Sequence, residues 1–179
     1  MLRYYAPMET APPAPLRERR PTPDVKVEPC TRSGLKDALA LVESALKVQH
    51  PRVSDWIKEH RGEFCKPIRP IWLAMQDGKL AGVLIGRMDE TKDAKCSILF
   101  VGEDYKKDLL RTELLRKFEQ SASLLGKSTV HVLLYADDEN EIAFFKGHGY
   151  QVANPELYHP AENPDRIRVL MVKRPLLRT

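Results

Sequence analysis

The chain lacks the features that mark membrane, disulfide-rich or zinc-binding proteins. Its longest apolar runs are only a few residues, far below the roughly 18 that a transmembrane helix needs. No apolar signal-peptide core precedes the first predicted strand. Cys30, Cys65 and Cys96 are far apart and belong to no CxxC or CxxH pair, which argues against a disulfide framework and a metal site. We therefore expect a soluble protein with reduced thiols in the cytoplasm, with organelle targeting as a second interpretation.

Two familiar catalytic motifs are also missing. Gly126-Lys127-Ser128 resembles the end of a phosphate-binding P-loop, but Ser121 stands where that motif needs a glycine. This argues against nucleotide hydrolysis, and no Ser-His-Asp spacing indicates a hydrolase. His131, inside an apolar strand, and His148, in a turn, are interpreted as structural side chains.

The charge pattern separates an N-terminal arm from a single domain. Residues 1–23 hold six prolines and the basic run Leu16-Arg17-Glu18-Arg19-Arg20, a composition that disfavours both helix and strand. We predict a disordered arm over 1–23 and one domain over 24–179. The arm is interpreted as a passive leader, a targeting segment, or a basic tether for RNA or an acidic protein. The formal net charge of +4 is compatible with such partners and with an ordinary solvated surface.

Hydrophobic periodicity predicts the elements of this domain. Strands are predicted at Val25–Glu28, Ile71–Met75, Leu80–Gly86, Lys95–Val101, Thr129–Tyr135, Tyr150–Ala153 and Ile167–Val172. Helices are predicted from Leu35 to a stop at His50-Pro51, and at Ser54–Phe64, Leu109–Leu125 and Glu139–Lys146. The fold class is therefore α/β or α+β, with a central mixed, twisted sheet of about six to seven strands flanked by about four helices.

Local signals predict where several of these elements begin and end. Asp77-Gly78 is a two-residue hairpin turn. Ser33 is expected to cap the first helix and Asp108 the third, while Gly126 is expected to end the third.

Two motifs carry a resemblance to a known family. Val101, Tyr105, Lys106 and the pair Leu114-Leu115 match a strand, turn and long helix, and Asp138, Phe144, Phe145, Gly149 and Tyr150 match a later aromatic segment. From Val25 to Lys173 the chain resembles the GNAT superfamily of acetyl-CoA-dependent N-acyltransferases. The resemblance implies acetyl-CoA as cofactor and an amine-bearing molecule as acceptor.

The resemblance also implies which residues hold the cofactor. They are the backbone of Phe100 and Val101, the turn and first helical residues Lys106, Lys107, Asp108, Leu109, Leu110 and Arg111, and Asp138. In the family this turn carries small residues, so that backbone N–H groups approach the pyrophosphate closely. Leu109 and Arg111 occupy those positions here. The cofactor loop is therefore degenerate, with Lys106, Lys107 and Arg111 expected to compensate by charge.

The catalytic position departs from the family pattern. Phe145 stands at the family's tyrosine position, where a hydroxyl protonates the leaving thiolate, and phenylalanine has no such proton. Glu103 and Asp104 are candidate bases, with surface ion pairs as the alternative. Trp56, Phe64 and Trp72 are interpreted either as core or as lining of an acceptor groove. Two functions stay open: a working N-acetyltransferase, or an inactive member of the fold that binds protein or RNA.

Overall fold

The computed structural model of the chain describes residues 24–153 and 167–174, and within them it shows a sheet of seven strands and four helices. The strands are β1 (Val25–Pro29), β2 (Ile71–Gln76), β3 (Lys79–Met88), β4 (Asp93–Val101), β5 (Thr129–Tyr135), β6 (Gln151–Val152) and β7 (Arg168–Lys173). The helices are α1 (Leu35–Leu46), α2 (Val53–Glu59), α3 (Lys107–Leu124) and α4 (Glu139–Gly147). The predicted arm over 1–23 lies outside the described residues.

The sheet is mixed, which confirms the predicted fold class. Its strand order is β1-β2-β3-β4-β5-β7-β6, and neighbours run antiparallel except for the parallel pair β4 and β5. Helix α3 connects β4 to β5, as a parallel crossover requires. No helix in the described part of the chain is both long and apolar enough to cross a bilayer.

Helices cover both faces of the sheet and enclose one core on each. Leu110, Leu114, Phe118 and Ala122 of α3 are fully buried, at the spacing of one helical stripe, and pack with Phe145 of α4 against one face. Helices α1 and α2 supply Ala38, Val42 and Val53 to the opposite face, where they meet Ile71, Val83 and Ile85. Phe64 belongs to this second core, and Trp72 packs against the first, so both are core residues.

Two predicted chain reversals are confirmed, and both depend on left-handed backbone. Asp77 and Gly78 have φ values of 51° and 74°, as a two-residue hairpin turn requires. Gly126 has φ of 75° and ends α3, with its N–H bonded to the Ser123 carbonyl and that of Lys127 bonded to Ala122. This is a Schellman arrangement, which satisfies the last carbonyls of the helix.

The predicted N-terminal caps of α1 and α3 are wrong. Gly34 occupies the cap position of α1, and the Ser33 hydroxyl lies 2.8 Å from the Thr31 hydroxyl instead. Lys106 occupies that of α3, without a side-chain cap. Asp108 lies inside the first turn, where its negative charge interacts favourably with the helix dipole and stabilises the helix.

The ends of α1 and α2 also come earlier than predicted. Helix α1 ends at Leu46, before His50, and α2 ends at Glu59, five residues before Phe64. Pro51 and the positive φ of Cys65 mark irregular chain beyond each end.

Candidate active site

A gap opens in the middle of the sheet where β4 and β5 separate. The two strands are paired only from Asp93 to Cys96 on β4 and from Thr129 to Val132 on β5. Ser97 is an extra residue on β4, because Ile85 pairs with Ile98 while the next residue, Gly86, pairs with Cys96. Such a bulge bends a strand and increases its twist. The gap begins at this bulge.

The backbone of β4 presents hydrogen-bonding groups to this gap. The N–H of Gly102 donates to the carbonyl of Ala81 on β3, so Gly102 points towards β3. Residues of an antiparallel strand point alternately to its two neighbours. Phe100 therefore also bonds to β3, whereas Leu99 and Val101 direct their N–H and C=O groups into the gap. The sequence prediction named Phe100 and Val101 and missed Leu99.

The N-terminus of α3 lies at the end of the gap, directly after β4. The N–H of Lys107 is bonded to the Tyr105 carbonyl, while those of Asp108 and Leu109 have no intrahelical partner and form a site suited to an anion. The Leu109 side chain is 46% exposed, while that of Leu110 is fully buried in the core. Leu109 thus projects outward from the first turn, where the resemblance expects a small residue.

Two of the three predicted phosphate-binding cations already have carboxylate partners. Lys107 Nζ is 2.5 Å from Glu103 Oε1, and Arg111 Nη2 is 2.5 Å from Glu141 Oε2. The buried Arg111 guanidinium also lies over the Phe144 ring, 3.9 Å from its centroid. Burial raises the pKa of the Glu141 carboxyl. Lys106 is exposed and has no ion-pair partner among the described residues.

A cavity of about 610 Å³ runs through the gap and reaches both faces of the sheet. Its α3/α4 half is lined by Val101, Glu103, Lys107, Arg111, Asp138 and Glu141. Its α1/α2 half is lined by His50, Arg52, Trp56, His60, Arg69, Arg87, Lys95, Tyr135 and Arg168. The volume suits a small ligand, and no group of three or more potential metal ligands occurs among the described residues.

The remaining predicted site residues, apart from Trp56, lie in or near the α3/α4 half. Phe145 lines the cavity with its ring packed edge-on against Tyr150, at a centroid distance of 5.1 Å. Asp138 caps α4, and its carboxylate accepts from the Glu141 N–H at 3.1 Å. Glu103 lines the cavity, whereas Asp104 is exposed and lies outside its wall. Trp56 also lines the cavity, on the α1/α2 side.

Tyr150 and Cys96 do not supply the chemistry that Phe145 lacks. The Tyr150 hydroxyl donates to Glu119 at 3.0 Å, and its pKa is raised, mainly by burial. Cys96 lines the cavity, but burial raises the pKa of its thiol to about 12. A thiol of that pKa is protonated at neutral pH and is a poor nucleophile.

His60 is a site residue that sequence reasoning missed. Its Nδ1 lies 3.0 Å from the Trp56 carbonyl oxygen and its ring stacks on the Trp56 ring. A carbonyl only accepts, so in the neutral ring Nδ1 carries the proton and Nε2 holds a lone pair. The Glu59 carboxylate also lies 4.0 Å from Nδ1. Among the described residues Nε2 has no hydrogen-bond partner. The i+4 spacing from Trp56 was the only signal in the sequence.

His148 provides the contrast, because both of its ring nitrogens are used. Nδ1 is 2.8 Å from the Phe144 carbonyl oxygen and Nε2 is 3.1 Å from the Thr112 hydroxyl. It is a structural side chain, as predicted.

Comparison with known proteins identifies the fold. The chain is 16% identical to the ribosomal-protein-S18-alanine N-acetyltransferase from Escherichia coli, with a TM-score of 0.65 over 87% of this chain and 97% of that one. It is 12% identical to the PaiA N-acetyltransferase from Thermoplasma acidophilum, solved with coenzyme A, with a TM-score of 0.64 over 84% and 99%. An acetyltransferase of the GNAT family from Staphylococcus aureus gives 12% identity and a TM-score of 0.65, over 84% and 99%.

At these identities the structural likeness concerns the fold alone. No curated protein matches the chain in sequence. The model of the acetyltransferase (GNAT) family matches residues 35–150, which is more than half of the chain. The chain therefore belongs to the GNAT acetyltransferase family.

Proposed function

We propose that the chain is an N-acetyltransferase that moves an acetyl group from acetyl-CoA to an amine. The observation that carries this proposal is the gap between β4 and β5. It places the backbone groups of Leu99 and Val101 beside the N-terminus of α3. These groups fit a ligand with an amide-containing arm and a pyrophosphate, because the strand edge offers donors and acceptors and the helix end favours anions.

The fit depends on backbone rather than on surplus charge. Lys107 and Arg111 are neutralised by Glu103 and Glu141, so Lys106 is the cation left to attract a phosphate. The Leu109 side chain, which is 46% exposed, projects from the first turn of this helix. We expect acetyl-CoA to bind here with reduced affinity compared with a site that has glycine at this position.

Acetyl-CoA supplies a thioester that is reactive towards a neutral amine. The chain's own residues hold the amine, exclude bulk water and accept a proton. The cavity walls hold the amine and exclude water, and positioning of this kind contributes most of the rate. His60 Nε2, directly or through a water molecule, accepts the proton that the amine loses, with Glu103 as the second candidate. Phe145 donates no proton, so the thiolate leaves unaided.

Calorimetric titration with acetyl-CoA tests the first step. We expect saturable binding that weakens at high salt, and we expect Lys106→Met to remove most of this salt dependence. Lys117→Met, which changes a charge farther along α3, is the matched control. Release of free thiol that requires both acetyl-CoA and an amine tests the second step. Absence of binding by the folded protein at millimolar acetyl-CoA would contradict the proposal.

The alternative is a binding module that keeps the fold without the reaction. The side chains of Leu109 and Phe145, which replace a small residue and a proton donor, favour it. It assigns binding of RNA or an acidic protein to the basic arm and to Lys106, Arg116 and Lys117. Recovery of a partner by the full chain, but not by a chain lacking residues 1–23, would support this module. Equal recovery by both would show that the arm is not the docking element.

A further inference from the structure

The two halves of the cavity differ in charge. Glu103, Asp138 and Glu141, the acidic side chains that line the cavity among the described residues, all lie in the α3/α4 half. The α1/α2 half is lined by cations: Arg52, Arg69, Arg87, Lys95 and Arg168. Charge of one sign gathered in a concave site attracts ligands of the opposite sign.

Strand register explains how these cations converge. Lys95 on β4 lies directly opposite Arg87 on β3, so both side chains project from the same face of the sheet. Arg168 on β7 donates to the Tyr135 hydroxyl at 3.2 Å, and the Tyr135 ring stacks on His50, between α1 and α2. Arg168 therefore reaches the same side of the sheet.

The arginines around Lys95 are held in fixed positions. Arg69 is 3% exposed, and its Nε and Nη2 both lie 2.8 Å from Glu63. Arg87 Nε lies 2.5 Å from Asp89. Glu63 and Asp89, which lie outside the cavity wall, thus offset the charges of Arg69 and Arg87.

Lys95 itself has no such partner. Among the described residues no carboxylate lies within ion-pair distance of its ammonium, although the side chain is half-buried. Burial lowers the pKa of Lys95, and Arg87, Arg168 and Arg69 lower it further, with the Asp89 carboxylate offsetting part of this effect. A cation held among other cations in a cavity is costly unless an anion joins them, which indicates that part of the site is supplied by a ligand.

We propose that the acceptor is a small amine that carries a carboxylate or phosphate group, and that Lys95, Arg87 and Arg168 bind this group. This inference rests on the proposed acetyl transfer, because it names the substrate class of that site. The cavity volume of about 610 Å³ suits a metabolite that enters whole. The same cations disfavour a protonated amine beside them, so they promote the neutral form that attacks a thioester.

Three probes with the same two-carbon amine test the preference: O-phosphoethanolamine, β-alanine and ethanolamine. The chain has two tryptophans, so Trp72→Phe leaves Trp56, in the cavity wall, as the fluorescent reporter of binding. Titrations use the full chain, with and without saturating coenzyme A. Lys95→Met removes the central charge, and Lys92→Met is the matched control because Lys92 is exposed and outside the cavity wall.

We expect at least one of the two anionic amines to bind about tenfold or more tightly than ethanolamine, as charge-assisted hydrogen bonds predict. The two anionic probes distinguish phosphate from carboxylate. In Lys95→Met the preference should fall to about threefold or less, and in Lys92→Met it should stay. Equal binding of the three probes, or a preference that survives Lys95→Met in a protein folded by circular dichroism, would overturn the inference.

Coenzyme A also carries phosphates, so competition identifies the source of the anion. Binding of an anionic amine that is unaffected by coenzyme A supports the inference, whereas displacement by coenzyme A would assign the cations to the cofactor and overturn it. Transfer to ethanolamine as fast as to the anionic amines would leave the acetyltransferase proposal intact while overturning this one. Preferential binding of an anionic amine without any acetyl transfer would support the anion-binding site and contradict the acetyltransferase proposal.

Discussion

At the scale of single residues, His60 is the side chain whose replacement should most affect the chemistry. His60→Gln keeps a polar group but removes the basic Nε2 lone pair. We expect kcat to fall on the order of 100-fold, with little change in the affinity for acetyl-CoA, because general base help is typically worth 10²–10⁴-fold. Steady-state kinetics at several pH values measures this.

The matched control is His148→Gln, which changes a histidine outside the cavity wall. It should leave kcat within a few-fold of the original value. If His60→Gln behaves in the same way while Glu103→Gln loses activity, Glu103 is the base and our assignment is wrong.

Phe145 gives a second prediction at this scale, in which kcat is expected to rise. Phe145→Tyr adds a hydroxyl to a ring in the cavity wall. We expect kcat to rise by about tenfold or more, because the new group can protonate the leaving thiolate. Phe144→Tyr adds the same hydroxyl outside the cavity wall and should give no gain. A kcat for Phe145→Tyr at or below the original, in a protein of unchanged melting temperature, would contradict the prediction.

His131 predicts how stability depends on pH. Burial lowers its pKa below the ordinary value of 6.5, with Lys95 adding to the effect. Below about pH 6.5 the unfolded chain binds a proton that the folded chain does not, so the free energy of unfolding falls as the pH falls. The slope from one such group is at most about 1.4 kcal/mol per pH unit. Above about pH 6.5 His131 is neutral in both states, so this loss in the free energy of unfolding is absent.

Urea denaturation at pH 7.5 and pH 5.5 checks this for the original chain and for His131→Gln. The original chain should lose more stability between the two pH values than the variant does. Equal losses would show that His131 has the same proton affinity in both states.

At the scale of elements, the first turn of α3 decides how well a pyrophosphate is held. Leu109→Gly removes an exposed side chain and allows closer approach to the helix end. We expect the Kd for coenzyme A to fall about fivefold, despite a helix cost of about 1 kcal/mol. Leu124→Gly, at the other end of α3 and 76% exposed, has a similar helix cost and should not change the Kd.

Arg111 is a poorer position for this experiment, because Arg111→Gly leaves the Glu141 carboxylate without its partner. Removing one member of a buried pair typically costs about 3–5 kcal/mol. No change or a rise in Kd for Leu109→Gly would show that the Leu109 side chain does not limit cofactor binding.

Most helices and strands could be predicted from the sequence because their signals are local. The stripe from Leu110 to Ala122 and the turns at Asp77-Gly78 and Gly126 each depend on residues a few positions apart. The caps of α1 and α3 could not, because Ser33 and Asp108 have suitable side chains one or two residues from the true cap. Cap geometry depends on backbone dihedrals that residue type does not fix.

The site was less predictable, since its parts meet only in the folded chain. The gap depends on where the parallel pairing of β4 and β5 stops, which is a property of two segments more than thirty residues apart. In the sequence, Lys95 is a polar position on a predicted strand, and His60 is one within the predicted helix Ser54–Phe64. Only the sheet register and the fold of α2 bring them to one cavity.

At the scale of the whole molecule, the two parts of the sheet are joined by a short parallel ladder. Four residue pairs, from Asp93–Thr129 to Cys96–Val132, connect β1–β4 to β5–β7. A ligand that bonds to β4 and to the start of α3 while contacting α4 would connect the two parts a second time. Any ligand that binds only the folded state adds RT ln(1 + [L]/Kd), or about 2.7 kcal/mol at 100 times Kd.

The same gap should be visible in the exchange of single amide hydrogens with water. Alternation along β4 leaves the amides of Leu99 and Val101 without a strand partner at the gap, while those of Phe100 and Gly102 are bonded to β3. In the free protein we expect the first two to exchange much faster than the second two. Acetyl-CoA should slow the fast pair and leave the slow pair unchanged, a pattern that amide-resolved NMR can record. Equal slowing of all four would indicate a general tightening of the fold, and the cofactor would then not be bonded along this edge.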